Sequence, residues 1–428
     1  MPASVVSFWL PAAAIFVVAA VLRFAWVSDI EFKTDERWTF ERVVAARAGE
    51  AWPRFGMPTS QNANNPGMSV WVFIVLGWVT GVETPTDLAR ACQWTNVLAI
   101  LGLLAFTRRC VPPETRAVWL WAAALAAVNP VVVLLHRKIW PPSVCPLILV
   151  GVLVGYWHRD RRWGAALWGA GVMIVAQISL AGLFLAAGMA GWAALADRRG
   201  VRWRGWVLGS AVGGAPLVPW ALTVYTDVIG RPTGQTKFGN IFTLNYWVRW
   251  FTEPFGLSVK YSLEDDFDDF LRYPLVGEQP TYLMAVVHAA LIVAAVYVVV
   301  AGMARAWPNR TRLGDWLTGT DRRTWVALGA VMGGFGLALT VTTLPIHRHY
   351  MLLTFPFMHV WLAAVALTDR RPGWFGAARG QALLLVILSL QVVATAGFLG
   401  YIHTNQRTIR GDYGTPYAAQ VQLGLPPR

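Results

Sequence analysis

Two adjacent carboxylates, Asp35 and Glu36, follow the first long apolar segment of the chain. Thr34 precedes them and can cap a helix, and apolar residues then recur at helical spacing, which predicts a helix lying along a boundary between water and an apolar phase. A carboxylate fixed in the first turn of such a helix can take a proton from a weak nucleophile. It can equally stabilise the positive end of the helix dipole, so the spacing alone allows both roles.

Cationic and aromatic side chains cluster at two other places. They lie at the ends of apolar segments and comprise His136, Arg137 and Lys138 in one cluster, and His347, Arg348, His349 and Tyr350 in the other. An arginine can bind a phosphate through two parallel hydrogen bonds, and a lysine attracts it as a point charge. Both clusters could therefore bind an anionic group, although cations at span ends also anchor helices at a membrane interface.

A third polar segment is acidic. Five of the six residues from Glu264 to Asp269 are carboxylates, which could gather a divalent cation through oxygen ligands. Their spacing matches no defined metal-binding loop. We therefore expect a solvated acidic helix, with Phe267, Phe270 and Leu271 dipping into lipid, and a bound divalent cation is the alternative. The three cysteines lack the paired spacing of a zinc site or a disulfide framework.

The elements that must position these residues are membrane helices. Of the 428 residues, 56% are hydrophobic and only 14% are charged, against roughly 25% charged in a soluble domain. The long unbroken apolar runs fit transmembrane helices and lack the alternation of an outer-membrane barrel. The net charge of +13 lies in short clusters between these runs, which argues against nucleic acid as a partner and for the lipid bilayer. The predicted fold class is an all-α polytopic membrane protein.

The apolar runs predict about eleven transmembrane helices. We place them at residues 6–27, 88–107, 117–135, 141–157, 163–178, 180–196, 204–225, 281–303, 324–343, 350–367 and 380–401. The run at residues 68–82 is also apolar, but its 15 residues are short for a span, so it could lie in the interface instead.

The basic residues predict the orientation. If residues 68–82 do not cross, the loops on one side hold 18 Lys and Arg in 54 residues, whereas the other side has 17 in 141. The first side is then cytoplasmic, with the N-terminus inside. We expect a single transmembrane domain, residues 1–428, with a polar site facing outward. Its outer parts are a first loop with juxtamembrane helices at 28–87, a second loop at 226–280 and a tail at 402–428.

The surroundings of the Asp-Glu pair resemble those in the GT-C superfamily of membrane glycosyltransferases. A first transmembrane helix is followed by the pair, an interfacial helix, the turn-forming segment Asn64, Asn65, Pro66, Gly67 and Met68, and then Arg90 at the head of the next span. Within the superfamily the sequence is similar to the protein O-mannosyltransferase and aminoarabinose transferase branch. The resemblance implies about eleven or more spans and catalysis on the outer face with a polyprenyl-phosphate-linked sugar. Such lipid-monophosphate donors do not generally need a metal to hold the leaving group, so the resemblance also implies no metal site and no cofactor.

The resemblance also implies roles for the polar residues. Asp35 would be the catalytic base that takes a proton from the acceptor hydroxyl, with Glu36 as the second catalytic residue. The departing lipid phosphate would be held by fixed cations and their neighbours, namely Arg137, Lys138, Arg348, His349, Tyr350 and His347. The substrate-binding residues would be Arg90, Trp38 and Trp140. Unlike in the mannosyltransferase branch, no acid follows Lys138, which argues against transfer of mannose to protein.

Three functions are compatible with the sequence. A glycosyltransferase with a polyprenyl-phosphate sugar donor and a glycan, lipid or protein acceptor is favoured, because ionisable residues cluster in the outer loops. A transporter or flippase of lipid-linked sugars predicts midplane charges and inverted repeats, and the apolar runs show neither. A scaffold in an envelope glycan assembly complex would keep the fold without using the carboxylates. We expect the protein in the cytoplasmic (inner) membrane, with its site facing outside.

Overall fold

The computed structural model describes residues 3–58, 64–228, 242, 244–306, 322–342, 344–367 and 377–425. The N-terminal helices are α1 (Ala3–Phe24), α2 (Thr34–Arg47), α3 (Met68–Thr80), α4 (Pro85–Arg109), α5 (Arg116–Val128), α6 (Pro130–His136), α7 (Cys145–Trp157), α8 (Arg162–Ile178), α9 (Ala181–Ala196), α10 (Trp203–Gly214) and α11 (Val218–Val228). The later helices are α12 (Asn245–Thr252), α13 (Lys260–Leu263), α14 (Phe267–Arg272), α15 (Leu283–Ala306), α16 (Arg322–Gly329), α17 (Gly336–Thr340), α18 (Phe357–Leu367), α19 (Ala377–Thr404) and α20 (Tyr417–Gln422).

Short irregular turns and two hairpins connect these helices. The 3-10 turns are Pro141–Val144, Arg198–Gly200, Ala215–Leu217, Glu253–Phe255, Leu257–Val259, Glu264–Asp266 and Arg348–Thr354, and a π-helical turn covers Ala330–Phe335. The antiparallel hairpins pair β1 (Phe55–Pro58) with β2 (Asn64–Pro66), and β3 (Leu275–Val276) with β4 (Gln279–Pro280).

The predicted all-α polytopic membrane fold is confirmed. Within the described ranges, four helices are long and apolar enough to cross a membrane, or up to six if each of two bent pairs forms one span. The predicted spans at 88–107, 281–303 and 380–401 are continuous helices, α4, α15 and α19. The total of eleven spans stays a prediction.

The predicted span 117–135 is wrong as a single helix. The chain bends by 63° between α5 and α6. Pro130 cannot donate a backbone hydrogen bond, and Asn129 caps the new helix, since its Oδ1 accepts from the backbone N–H of Val131 at 3.0 Å and of Val132 at 3.1 Å. The bend directs the end of α6, and with it Arg137 and Lys138, into the protein rather than out to the interface.

The predicted span 350–367 is also broken. A 3-10 turn from Arg348 to Thr354 meets α18 at an angle of 70°. Pro356 lies at the bend, where its ring prevents the preceding residue from continuing a helix. The turn keeps Arg348 beside Ser258 of the second loop, to whose carbonyl its guanidinium donates at 3.4 Å.

The first loop forms a compact unit on top of α4. Helix α2 packs on α3, and α3 packs on α4. A methyl group on Gly77 of α3 would lie 2.4 Å from Val43 of α2, so only a glycine lets the two helices approach this closely. Helix α3 has 13 residues, which at about 1.5 Å per residue is shorter than a bilayer core of about 30 Å. Its length favours the interfacial position over a crossing.

The predicted break between the spans 163–178 and 180–196 is confirmed, since α8 and α9 are joined by a short turn.

Small residues bring α8 and α10 into close contact. On α10, a methyl group at Gly209 would lie 2.0 Å from the carbonyl oxygen of Ala166. Helices in lipid associate through such small-residue contacts, because the bilayer provides no hydrophobic force between them.

Candidate active site

The first turn of α2 holds Asp35 and Glu36 in different environments. The backbone N–H of Lys33 donates to Glu36 Oε2 at 3.0 Å, so the cap residue is Lys33 and not Thr34 as predicted. A glutamate at the third helical position reaches back to the cap in this way, which leaves Thr34 inside the first turn. The Glu36 residue is only 1% exposed, whereas Asp35 is open to solvent. The helix therefore fixes one carboxylate inside the protein and presents the other to water.

Six charged side chains form a continuous series of ion pairs, which we call the Lys138 cluster: Glu31, Lys33, Glu36, Lys138, Arg348 and Asp412. Lys138 Nζ lies 2.8 Å from Glu31 Oε1 and 3.4 Å from Glu36 Oε1. Lys33 Nζ lies 2.6 Å from the same Glu31 oxygen and 2.9 Å from Asp412 Oδ1. Arg348 Nη2 lies 3.4 Å from Asp412 Oδ2. The cluster thus joins the first loop, the end of α6, the late 3-10 turn and the C-terminal tail.

Burial and neighbouring charges set the protonation of the cluster. Burial raises the pKa of Glu36, although Lys138 favours its ionised form. Burial also opposes the charge of Lys138, but the Glu31 and Glu36 carboxylates outweigh it and raise the pKa of Lys138. Lys138 is therefore cationic at neutral pH and contacts an acid that is protonated more readily than an exposed glutamate.

Aromatic rings line one side of the cluster. Lys138 Nζ lies 4.9 Å from the centroid of the Trp140 ring, and Trp140 packs edge-on against His349 at 4.5 Å. His347 stacks on His349 with centroids 5.4 Å apart, and Tyr350 packs edge-on against His349. Burial, and then the charge of Arg249, lower the pKa of His347, which is therefore neutral at pH 7. The predicted residues Trp140, His347, His349 and Tyr350 thus come together, as an aromatic wall.

Arg348 also lines a narrow apolar recess. The other walls are Glu253, His359 and seven apolar side chains, Val131, Val132, Leu135, Met351, Leu352, Phe355 and Met358. Glu253 is buried, its Oε2 accepts from Ser258 Oγ at 2.6 Å, and burial raises the pKa of Glu253. The recess has a volume of about 20 Å³, which is room for about one water molecule.

Arg137 lies outside the Lys138 cluster, although it was predicted to bind phosphate. Its Nη1 donates to the carbonyl of Arg23 at 2.9 Å, and its Nη2 donates to the carbonyl of Trp26 at 2.8 Å. The side chain is buried in this position. It satisfies carbonyl groups that the end of α1 leaves without helical partners, so we assign it a structural role.

Arg90 and Trp38, both predicted to bind substrate, have other neighbours. Arg90 Nη1 pairs with Asp87 Oδ1 at 3.0 Å, and Arg90 lines a surface pocket together with Glu83 and Trp94. The Trp38 ring lies under the guanidinium of Arg42, 5.4 Å from its centroid. None of the ion pairs that define the Lys138 cluster involves either residue.

The acidic segment from Glu264 to Asp269 is not the fully solvated helix that the sequence predicts. Within the described ranges, no group of three or more His, Cys, Asp or Glu residues is arranged to hold a metal ion. Asp266 is buried, and its Oδ2 accepts from the backbone N–H of Arg410 at 2.6 Å and of Gly411 at 2.7 Å. Phe270 is also buried and packs edge-on against Phe398, so it does not dip into lipid. The segment anchors the C-terminal tail.

Three members of the Lys138 cluster were missed from the sequence. Glu31 and Lys33 alternate with the apolar residues Ile30 and Phe32, a period of two that indicates an extended strand-like segment and could have drawn attention to them. Asp412 lies 379 positions beyond Lys33 and carries no local signal. Only the folded tail brings it to the cluster.

Three solved structures are similar to this chain. The chain is similar to apo ArnT from Cupriavidus metallidurans, with a TM-score of 0.51 at 13% identity over 98% of this chain and 80% of that chain. ArnT bound to undecaprenyl phosphate gives a TM-score of 0.48 at 13% identity, over 98% and 78% of the two chains. The oligosaccharyltransferase of Archaeoglobus fulgidus gives 0.46 at 13% identity, over 98% and 60%. No protein-family model matches the sequence, and no curated protein matches it. The chain has the fold of ArnT, which agrees with the resemblance of its sequence to the aminoarabinose transferase branch.

Proposed function

We propose that this protein is a glycosyltransferase that moves a sugar from a polyprenyl-phosphate donor to an acceptor hydroxyl. One observation carries the proposal: an exposed carboxylate, Asp35, adjoins Glu36, whose Oε1 lies 3.4 Å from the cationic Lys138 Nζ. The fold of ArnT supports the same assignment. A base whose neighbouring residue contacts a fixed cation suits a displacement that releases an anionic leaving group.

The cations of the Lys138 cluster would hold the donor phosphate. Lys138 lies at the centre, Arg348 approaches from the late 3-10 turn, and Lys33 adds a third charge that sequence reasoning missed. When the bond between the anomeric carbon and the phosphate oxygen breaks, the phosphate gains negative charge. Cations already in place stabilise that charge without rearranging.

Asp35 and Glu36 would have different roles in the reaction. Asp35 is accessible to an acceptor, so it would take the hydroxyl proton as the acceptor oxygen attacks the anomeric carbon and the polyprenyl phosphate departs. A single displacement of this kind inverts the anomeric carbon. Glu36 is buried against Lys138 and would hold that lysine in position. It is then a positioning residue rather than a second base.

The membrane placement follows from the loop charges. We propose that the site faces outward from the cytoplasmic membrane, with the N-terminus inside and the site built from the first loop at 28–87, the second loop at 226–280 and the tail at 402–428. Of the second loop, residues 229–241 and 243 lie outside the described residues, as do tail residues 426–428. The acceptor would be a hydroxyl on a glycan, lipid or protein.

The test is transfer of radiolabelled sugar in membranes supplied with polyprenyl-phosphate donors. Asp35→Asn is nearly isosteric and removes the base, so we expect a loss on the order of 100-fold or more at an unchanged protein level. Glu41→Gln is the matched control, because Glu41 is an exposed acid on the same helix that pairs with Arg37. Undiminished transfer by Asp35→Asn would refute Asp35 as the base. Absence of transfer by the unaltered protein across a broad donor panel would refute the glycosyltransferase assignment.

A further inference from the structure

The proposed phosphate-binding cations already have an anion bound. Asp412, from the C-terminal tail, contacts Lys33 Nζ at 2.9 Å through Oδ1 and Arg348 Nη2 at 3.4 Å through Oδ2. Its two carboxylate oxygens thus bridge two cations that come from distant parts of the chain. A phosphate with two or three free oxygens could bridge the same pair.

The backbone of the tail is fixed on both sides of Asp412. Before it, the N–H groups of Arg410 and Gly411 donate to the buried Asp266 carboxylate. A methyl group on Gly411 would lie 1.8 Å from the carbonyl oxygen of Leu263, so this approach requires glycine. After it, the backbone N–H of Tyr413 donates to the carbonyl of Ser262 at 2.7 Å. The position of the Asp412 backbone therefore does not depend on the ion pairs that its side chain makes.

The Asp412 side chain, in contrast, borders the solvent. It is 45% exposed, whereas the side chain of Glu31, the other acid that contacts Lys33, is 1% exposed. Arg348 is held loosely, because its two hydrogen bonds, to Asp412 and to the carbonyl of Ser258, both measure 3.4 Å. Rotation of this one side chain would free Arg348 from Asp412 and would vacate one contact of Lys33 Nζ, which keeps Glu31 and the Asp412 backbone carbonyl as partners.

We propose that Asp412 is an internal competitor for the donor phosphate and thereby sets the affinity of the enzyme for its donor. This inference rests on the proposed function. The donor phosphate takes the place of the Asp412 carboxylate on Lys33 and Arg348, and the carboxylate turns out to solvent. A donor binds only when its own contacts exceed those that it displaces, so a neutral or weakly anionic lipid is excluded.

The electrostatics of the site agree with this role. Although burial opposes its ionisation, the hydrogen bond and charge of Lys33 lower the pKa of Asp412. The competing carboxylate is therefore charged at neutral pH. Partly exposed ion pairs contribute little each, so we expect removal of this charge to tighten phosphate binding by roughly three- to tenfold.

Binding of radiolabelled undecaprenyl phosphate to the purified full chain in detergent micelles tests the inference, with undecaprenol as the probe that lacks phosphate. We expect Asp412→Asn to bind undecaprenyl phosphate roughly three- to tenfold more tightly and undecaprenol no differently. Asp412→Glu keeps the charge and should bind like the unaltered protein. Asp269→Asn is the matched control, because it removes the same charge from an exposed pair with Arg272 that lies outside the Lys138 cluster.

The outcomes separate the inference from the proposed function. Equal or weaker binding by Asp412→Asn, with the unaltered protein still preferring undecaprenyl phosphate over undecaprenol, overturns the inference alone. No preference for the phosphate in the unaltered protein overturns both. Thermal unfolding without ligand checks that the variants are folded, and Asp412→Ser replaces Asp412→Asn if the amide variant is not. If neither variant folds, Asp412 is a structural residue and the inference is overturned.

Discussion

The segment of residues 141–157 has an ion-pair cluster at each end, and the two clusters are built differently. The Lys138 cluster precedes it. After it, Arg159 Nη2 lies 2.6 Å from Asp197 Oδ2, and Arg322 pairs with the other oxygen of the same carboxylate. We call Arg159, Asp197 and Arg322 the Arg159 cluster. It joins three loops that are distant in the sequence.

The difference lies in how the charges are exposed and shared. In the Arg159 cluster, Arg159 and Asp197 are 4% and 5% exposed, and Arg159 also donates to the carbonyl of Tyr156 at 2.8 Å. The carboxylate that joins this cluster is therefore buried, and its exposed member is a cation, Arg322, whose side chain is 45% exposed. In the Lys138 cluster, exposure rises from the buried Glu31 to the half-exposed Asp412. The Arg159 cluster suits a permanent structural link between loops. The Lys138 cluster suits the exchange of an internal anion for a ligand.

Breaking the buried pair should give the largest effect on stability. Asp197→Asn leaves Arg159 buried without a counter-charge, which we expect to lower the free energy of unfolding by about 3 kcal/mol. Thermal unfolding in detergent measures the change. Asp160→Asn is the control, because Asp160 forms an exposed pair with Arg323 at the same end of the segment. If the Asp197→Asn protein were as stable as this control, the Arg159 cluster would not stabilise the folded protein.

Removing Arg348 from the Lys138 cluster should lower sugar transfer strongly and stability only slightly. Arg348→Gln removes a cation from the proposed phosphate site, so we expect transfer to fall on the order of 100-fold. The free energy of unfolding should change by less than about 1 kcal/mol, since the pair with Asp412 is partly exposed. Sugar transfer and thermal unfolding of the same preparation provide the two readings. A loss of stability as large as that of Asp197→Asn would mean that both clusters are structural.

Much of the fold could be predicted from the sequence because lipid demands long apolar helices. Continuous helices such as α15 and α19 lie where the apolar runs placed them. The bends at Asn129-Pro130 and before α18 were missed, because hydropathy indicates which segments are apolar and does not indicate where the helix axis changes direction. A proline and a capping asparagine inside an apolar run were the available signals for the first bend.

Of the candidate site, only the charged residues that lie next to apolar runs in the sequence could be predicted. Asp35, Glu36 and Lys138 stand out as charges beside apolar runs, and Lys138 and Glu36 do meet. The chemically similar Arg137 was indistinguishable from Lys138 in the sequence, yet its guanidinium is bound by carbonyls at the end of α1. Asp412 could not be assigned, because its contacts depend on the folding of the tail against two distant loops.

The smallest predicted effect concerns the proton on Glu36. Its pKa in the folded protein is raised above the ordinary value of 4.5, so the folded state holds this proton more tightly than the unfolded state. The stability that results is fully present below pH 4.5 and is lost as the pH rises through the raised pKa. Glu36→Gln cannot titrate at this position, and its melting temperature should fall less than that of the unaltered protein as the pH increases from 5 to 8, by about 1–2 °C.

The control for this pH series is Glu41→Gln, because Glu41 is exposed on the same helix and should leave the slope unchanged. Parallel melting curves for Glu36→Gln and the unaltered protein would mean that Glu36 is ionised throughout this pH range. The Lys138 cluster would then be as fixed in charge as a structural salt bridge. A flatter pH dependence in Glu36→Gln alone would establish that burial, rather than the lysine, decides the protonation of this carboxylate.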